Sequence, residues 1–206
     1  MPTSTPIFKE QTKDYIVRRI DKSANIIDIG AGLGTYADML RPLGYENIDA
    51  IEVFQNYVDG YQLKLKYRSV YIDNIITSDI YLNDYTFAIL GDVVEHMFYA
   101  DSLKVLDRLK HCELLIAVPF QASQGPVMGN EYEIHIQNDL TNEKFLSMYE
   151  GLIPFCIRYD YGIYIRNTND NNKENLYLVD LPDEEISKLT EQYSHRKIVN
   201  LNKESE

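Results

Sequence analysis

Apolar residues along this chain alternate between short β-branched runs and helical spacing, and that alternation predicts the architecture. Residues 8 to 21 set Ile16, Val17 and Ile20 at helical spacing among charges, which predicts a short amphipathic helix ahead of the core. Asn25-Ile26-Ile27-Asp28-Ile29 is short, β-branched and followed at once by glycines, so it reads as a buried first strand. Tyr36 to Leu40 starts a helix that Pro42 and Gly44 close, and Ile48-Asp49-Ala50-Ile51-Glu52-Val53 is the next strand, completing a βαβ unit. A further helix is expected from about Asn56 toward Tyr67. Ile75-Ile76-Thr77-Ser78 and Phe87-Ala88-Ile89-Leu90 read as strands three and four, and Leu114 to Val118, after a helix from Leu103 to Leu109, as strand five. Such regular alternation argues a parallel sheet covered on both faces.

Beyond strand five the rhythm breaks. Residues 119 to 140 form a long segment containing Gly, Pro, Asn and Gln, and long loops in compact domains usually carry function, so this one reads as an acceptor loop. Thr141 with Lys144 to Tyr149 predicts one more helix. Phe155 to Ile165 and Leu176 to Leu181 then read as two strands joined by a turn-rich segment with Asn167-Thr168-Asn169-Asp170-Asn171-Asn172, which requires an antiparallel hairpin. Pro182 ends the second strand, and the charged tail 183–206 holds a weak helical stretch near Ile186 to Tyr193, with fraying expected from Asn200. The expectation is one α/β domain over residues 1–206: an N-terminal helix within 1–22, then a doubly wound, mostly parallel sheet of seven strands ending in the hairpin.

Composition narrows the function. Thirty-two acidic against twenty basic side chains give a net charge of −12, which repels a phosphate backbone and disfavours bulk nucleic acid as a partner. Apolar residues at 45% and charged residues at 25% are ordinary globular values, with no run long enough for a membrane. Met1-Pro2-Thr3-Ser4-Thr5-Pro6 has no secretory pattern, so the expected location is the cytoplasm, as a monomer or homodimer. Cys112 and Cys156 lack metal-type spacing and read as buried small hydrophobes.

Chemistry concentrates after the first strand, where Gly30-Ala31-Gly32-Leu33-Gly34 follows Asp28 and Ile29. Glycines there let the backbone turn sharply and a ligand approach closely, with open amides and a helix N-terminus suited to an anionic group. Glu52 ends strand two, where an acid can accept from ribose hydroxyls; Asp79 ends strand three, where it can accept from an adenine amino group; Asp92 ends strand four. An acid at one such position alone is more often a solvated loop carboxylate or a helix cap. Three at successive strand ends beside a glycine turn favour a ligand site, because open parallel sheets bind ligands at that edge.

Ile27-Asp28-Ile29-Gly30-Ala31-Gly32-Leu33-Gly34, Glu52, Ser78-Asp79-Ile80, Leu90-Gly91-Asp92-Val93-Val94-Glu95-His96 and the terminal hairpin together resemble the class I S-adenosylmethionine-dependent methyltransferases, over nearly the whole chain. The resemblance implies a Rossmann-like sheet with a reversed strand near one edge. It implies that Asp28, Gly30, Ala31, Gly32 and Gly34 surround the methionine portion of S-adenosylmethionine, Glu52 binds ribose, Asp79 and Ile80 frame adenine, and Asp92 and Val93 line the cofactor. Val53-Phe54 departs from the small or polar residue that many relatives carry after the acid, and Val53 joins the expected adenosine contacts. A dinucleotide fingerprint would place its third small residue at Thr35; Gly34 comes one position early, against a nicotinamide enzyme.

The acceptor is read from the long loop. His135, in Glu131-Tyr132-Glu133-Ile134-His135, is the preferred general base, since histidine titrates near neutral pH and an acceptor hydroxyl needs a proton acceptor; a surface or capping histidine fits the position equally. His96 is the second catalytic candidate. Gln124-Gly125-Pro126 through His135 is similar to a segment of small methyltransferases from bacterial glycan and natural-product gene sets, which implies a small, hydroxylated, sugar-like acceptor and O-methyl transfer, with S-adenosylhomocysteine as product. No metal is assigned outright. If a helix began at Asp92, however, Asp92, Glu95 and His96 would share a face and with His135 could hold Mg²⁺, Mn²⁺ or Zn²⁺, as in metal-dependent relatives acting on small-RNA ends or quinone precursors. A non-catalytic cofactor-binding subunit is the alternative from another class.

Overall fold

Every side chain of β1 (Ile26–Ile29) is buried, because the strand pairs in parallel with β2 (Ile48–Ile51) on one edge and β4 (Phe87–Gly91) on the other. A strand with partners on both edges and helices on both faces needs apolar residues at consecutive positions, and the isoleucines supply them. The computed structural model describes residues 7–167 and 174–203. The other strands are β3 (Ser69–Tyr71), β5 (Glu113–Pro119), β6 (Ile153–Arg158), β7 (Tyr161–Arg166), β8 (Leu176–Leu178) and β9 (Ile198–Asn200). They form one sheet in the order β3-β2-β1-β4-β5-β7-β6-β8-β9.

Helices α1 (Lys9–Arg19), α2 (Thr35–Leu40), α3 (Gln55–Gly60) and α4 (Leu63–Lys66) belong to the first half, and α5 (Tyr99–Arg108), α6 (Asn142–Met148) and α7 (Asp183–Gln192) to the second. Successive strand residues face opposite sides, so each strand feeds two cores. Ile27, Ile29, Leu90 and Ile116 pack with Val105 of α5 and Phe145 of α6. Ile26, Ile48, Ile89 and Leu115 pack with Ile16 of α1 and Leu40 of α2. The result is a three-layered, doubly wound α/β fold whose parallel strands β1 to β5 give way to the antiparallel β7. Both cysteines are buried and free. Among the described residues no helix is long and apolar enough to cross a membrane.

Several expectations shift. The third strand is Ser69–Tyr71, not Ile75 to Ser78, which instead lie on a turn closed by Ser78 N–H donating to Asn74 O at 2.8 Å. Ile75 drops into the core from that turn, so its hydrophobicity reflects packing without strand pairing. The helix expected from Asn56 toward Tyr67 breaks into α3 and α4 at Gln62, whose φ of 53° is left-handed. Phe155 to Ile165 is not one strand: it spans parts of both arms of the hairpin, β6 and β7, whose turn holds Tyr159 and Asp160 and is braced by Arg158 pairing with Asp160. The antiparallel pair therefore closes earlier than expected, and β8 joins β6 in parallel. The sheet has nine strands, two beyond the expected seven: the stretch Phe155 to Ile165 divides between β6 and β7, and the charged tail folds back as α7 and β9, so that Asn200 is paired. Of the Asn-rich turn segment, residues 168 to 173 lie outside the described residues.

Gly162 lets β7 pass close to its neighbours: a Cβ there would stand 2.5 Å from Phe120 Cζ and 2.7 Å from Tyr164 Cε2. Gly162→Ala is expected to lower stability by about 1–3 kcal/mol through overpacking, read as a reduced urea midpoint with unchanged slope.

Candidate functional site

The carboxyl ends of β1, β2 and β4 and the segment after β3 open onto a cavity of about 400 Å³, within the range of about 300–1,000 Å³ common for ligand pockets. It lies where the strand order reverses between β1 and β4, the place at which open parallel sheets leave a crevice. After Ile29 the chain turns through Gly30 and Gly32 with φ of 72° and 51°, left-handed backbone that other residues adopt reluctantly. A Cβ on Gly30 would collide with Val93.

Glu52, the first residue past β2, is 4% exposed and holds two loops together. Its Oε2 accepts the Gly32 N–H at 2.9 Å and its Oε1 the Phe54 N–H at 2.9 Å. Burial raises the Glu52 carboxyl above the usual carboxylate range, against the pull of those amides. Gly30, Ala31, Gly32, Glu52 and Val53 all line the cavity. Asp28 and Gly34 do not. Asp28 lies beneath the loop, where its Oδ2 accepts the Tyr67 hydroxyl at 2.5 Å and burial pushes its pKa up to about 7. At Gly34 a Cβ would meet Lys66 and Leu63 of α4, so this glycine serves helix packing.

Asp79 is exposed, and neither it nor Ile80 reaches the cavity, since the strand that was to present them is displaced. Asp73, two residues past β3, occupies the place expected for that acid: its N–H donates to Glu52 O at 3.2 Å, and it lines the wall with Asn74, Ile75 and Ile76. The signal for it was the half-polar run Ser69-Val70-Tyr71, whose three residues are too short to outweigh the isoleucine pair that follows.

Asp92 and Val93 also line the cavity, with Val93 packed against Gly30. No α-helix starts at Asp92, whose φ is 58°; a single 3-10 turn, Val94–His96, follows instead. That turn is fixed from below by Gln137, whose Nε2 donates to Val94 O at 2.9 Å and Met97 O at 3.0 Å. From above, the long loop sends Ile136 and Gln137 N–H to Glu95 O at 2.8 and 2.9 Å. Glu95 is wholly buried, and neither carboxyl oxygen has a hydrogen-bond partner among the described residues. Burial, and after it the Asp92 charge, push its carboxyl well above the ordinary range.

The loop also delivers His135 beside His96, with ring centroids 4.9 Å apart in an edge-on arrangement. His96 Nδ1 lies 3.2 Å from Ile134 O and His135 Nδ1 lies 2.9 Å from Ala122 O. A carbonyl only accepts, so in the neutral rings the proton sits on Nδ1 and each Nε2 carries a lone pair. Burial pushes His96 down to about 4, which keeps it neutral at physiological pH. Glu95, His96 and His135 each offer one donor atom, all within 4.8 Å of one another, and His96 Nε2 is 3.7 Å from Glu95 Oε1. Asp92 stands outside that group. Gln124, Tyr132 and Glu133 of the long-loop segment, and Tyr161, which nothing in the sequence singled out, complete this end of the cavity. The arrangement pairs an amide-rich, acid-flanked half with a half that presents imidazole lone pairs.

A scan against protein-family models and a search of curated proteins give no match to the chain. Solved structures match it in fold. The methyltransferase domain of bacterial CtHen1-CN aligns with 77% of this chain and 98% of that one, at 15% identity and a TM-score of 0.57. A Burkholderia thailandensis 1,6-didemethyltoxoflavin-N1-methyltransferase, solved with 1,6-didemethyltoxoflavin and S-adenosylhomocysteine, aligns with 78% of this chain and 77% of that one, at 13% identity and a TM-score of 0.57. A SAM-dependent methyltransferase from Aquifex aeolicus aligns with 79% and 93%, at 17% identity and a TM-score of 0.51. The chain has the fold of the class I S-adenosylmethionine-dependent methyltransferases. At these identities the likeness is one of fold, and function has to be argued from the site.

Gln137→Leu keeps the volume but strips the donors from Val94 O and Met97 O, and is expected to cost about 1–3 kcal/mol in chemical denaturation.

Proposed function

We propose that this protein transfers the methyl group of S-adenosylmethionine to a hydroxyl of a small, sugar-like acceptor. The observation that carries the reading is the division of one cavity: a glycine turn with acids at adjacent strand ends on one side, and two histidines with Nε2 lone pairs on the other. The residues fit the cofactor. Gly30 and Gly32 leave room for the methionine portion, Glu52 would accept from ribose hydroxyls, and Asp73, which lines the cavity where Asp79 does not, would accept from an adenine amino group. Bound there, the cofactor supplies an electrophilic methyl carbon on a good leaving group. The protein's part is to align the acceptor oxygen and take its proton as the new C–O bond forms and the C–S bond breaks. His135 Nε2 takes that proton; its Nδ1 contact with Ala122 O fixes the tautomer that makes this possible. Tyr132, Gln124 and Asn130 supply polar contacts for a hydroxylated acceptor.

A second reading has its own observation. The donor atoms of Glu95, His96 and His135 are close enough to share one divalent ion, and the unpartnered Glu95 carboxyl is suited to it. Held there, Mg²⁺, Mn²⁺ or Zn²⁺ would bind an acceptor's vicinal hydroxyls and lower their pKa.

Two experiments test these assignments. Asp73→Ala is expected to weaken S-adenosylhomocysteine binding about 10-fold, the usual scale of one lost hydrogen bond to a charged group, while Asp79→Ala leaves it unchanged; equal effects would return the adenine contact to the sequence-based position. A screen of sugar and other hydroxylated acceptors with detection of S-adenosylhomocysteine should yield turnover that His135→Ala cuts by about 10²- to 10⁴-fold at constant cofactor affinity. Turnover lost to a chelator and restored by added Mg²⁺ or Mn²⁺, with Glu95→Ala as damaging as His135→Ala, would select the metal reading.

A further inference from the structure

Among the described residues that line the cavity there is no lysine or arginine, whereas Glu52, Asp73, Asp92, Glu95 and Glu133 all line it. One lysine stands just behind the wall. Lys9 opens α1, and its Nζ is sealed from solvent without a hydrogen-bond partner among the described residues. The ammonium lies 4.8 Å from the centroid of the Tyr36 ring, and Tyr36 lines the cavity together with Ala31 and Gly32. Burial lowers the Lys9 pKa, and the charges of Asp92 and Asp28 act against that. A buried ammonium that donates to nothing is costly, and a cation–π contact offsets only part of the cost. The chain enters α1 through a second unfavourable feature: Phe8, 4% exposed and next to Lys9, holds a left-handed φ of 63°. Strain of this kind persists where surrounding structure and function over-determine it.

We propose that Lys9 is the cationic partner of the cofactor's α-carboxylate, reached past the Tyr36 ring at the glycine-loop end of the cavity. This inference rests on the proposed cofactor. Loop amides and the start of α2 offer hydrogen bonds and a partial positive charge, but a carboxylate brought into a cavity walled by five acids needs a full opposite charge to balance its lost hydration. Among the described residues, Lys9 adjoins that wall with an ammonium that is sealed from solvent and has no hydrogen-bond partner. At the carboxylate Lys9 gains the donor contacts it lacks, which makes α1 part of the binding site.

The test compares two ligands by titration calorimetry. S-adenosylhomocysteine and 5′-methylthioadenosine share the adenosine and the sulfur, but only the first carries the amino-acid end. Lys9→Met is expected to weaken S-adenosylhomocysteine about 10- to 100-fold, as for loss of one partner from a buried charge pair, and to leave 5′-methylthioadenosine within about twofold. Lys9→Arg, which keeps the charge, should retain most of the difference between the ligands. Retained 5′-methylthioadenosine binding also reports that the variant is folded. A parallel loss for both ligands would make Lys9 a prop for Tyr36 and overturn the proposal, as would an unchanged affinity for S-adenosylhomocysteine. If the parent protein binds neither ligand, the cofactor reading itself fails.

Discussion

Two backbone amides, those of Gly32 and Phe54, converge on the carboxylate of Glu52, and the geometry of the cavity depends on that convergence. The loops after β1 and β2 would otherwise be independent turns at the edge of a parallel sheet. Tying both to one buried carboxylate fixes how far the glycine turn stands from the wall that Asp73 enters, since the Asp73 amide in turn donates to Glu52 O. The carboxylate keeps a side toward the cavity, so the same group that organises the loops is presented to whatever binds between them. The geometry of both loops and of the cavity wall thus rests on one side chain, whose desolvation is partly offset by charge-assisted hydrogen bonds from the backbone.

The other half of the cavity is built by a different device. The turn carrying Glu95 and His96 is too short to hold its own geometry, and it is clamped between Gln137 below and the loop amides above. Each histidine then has its Nδ1 set on a main-chain carbonyl, which chooses the tautomer without another acid. The long loop after β5 is therefore more than a cover, because it orders the groups it encloses. That dependence explains how a histidine from the loop and one from the turn after β4 come to lie edge to ring.

Much of this was legible in the order of residues. Consecutive isoleucines around Asp28 can be satisfied only by a strand buried on all sides, and glycines directly after it can only mark a turn, so β1, its loop and the alternation that follows were readable. Local pattern failed where packing decided. Ile75 and Ile76 look like a strand, but they fill the core from a turn while Ser69-Val70-Tyr71 pairs with β2, and the error carried Asp79 into the site in place of Asp73. Arg158-Tyr159-Asp160 hid a tight turn inside an apolar run, because its ion pair forms only once the chain has reversed. The meeting of Glu95, His96 and His135 was suggested as a set. The fold admits those three and turns Asp92 aside through its left-handed backbone, which no periodicity announces.

The proposed function depends on whether the crevice beside β1 takes an adenosyl sulfur ligand or a dinucleotide. Titration calorimetry of the parent protein with S-adenosylhomocysteine and with NAD addresses it directly. Saturable one-to-one binding of S-adenosylhomocysteine and no measurable heat of binding for NAD are expected. Tight NAD binding with no response to S-adenosylhomocysteine would contradict the proposed function.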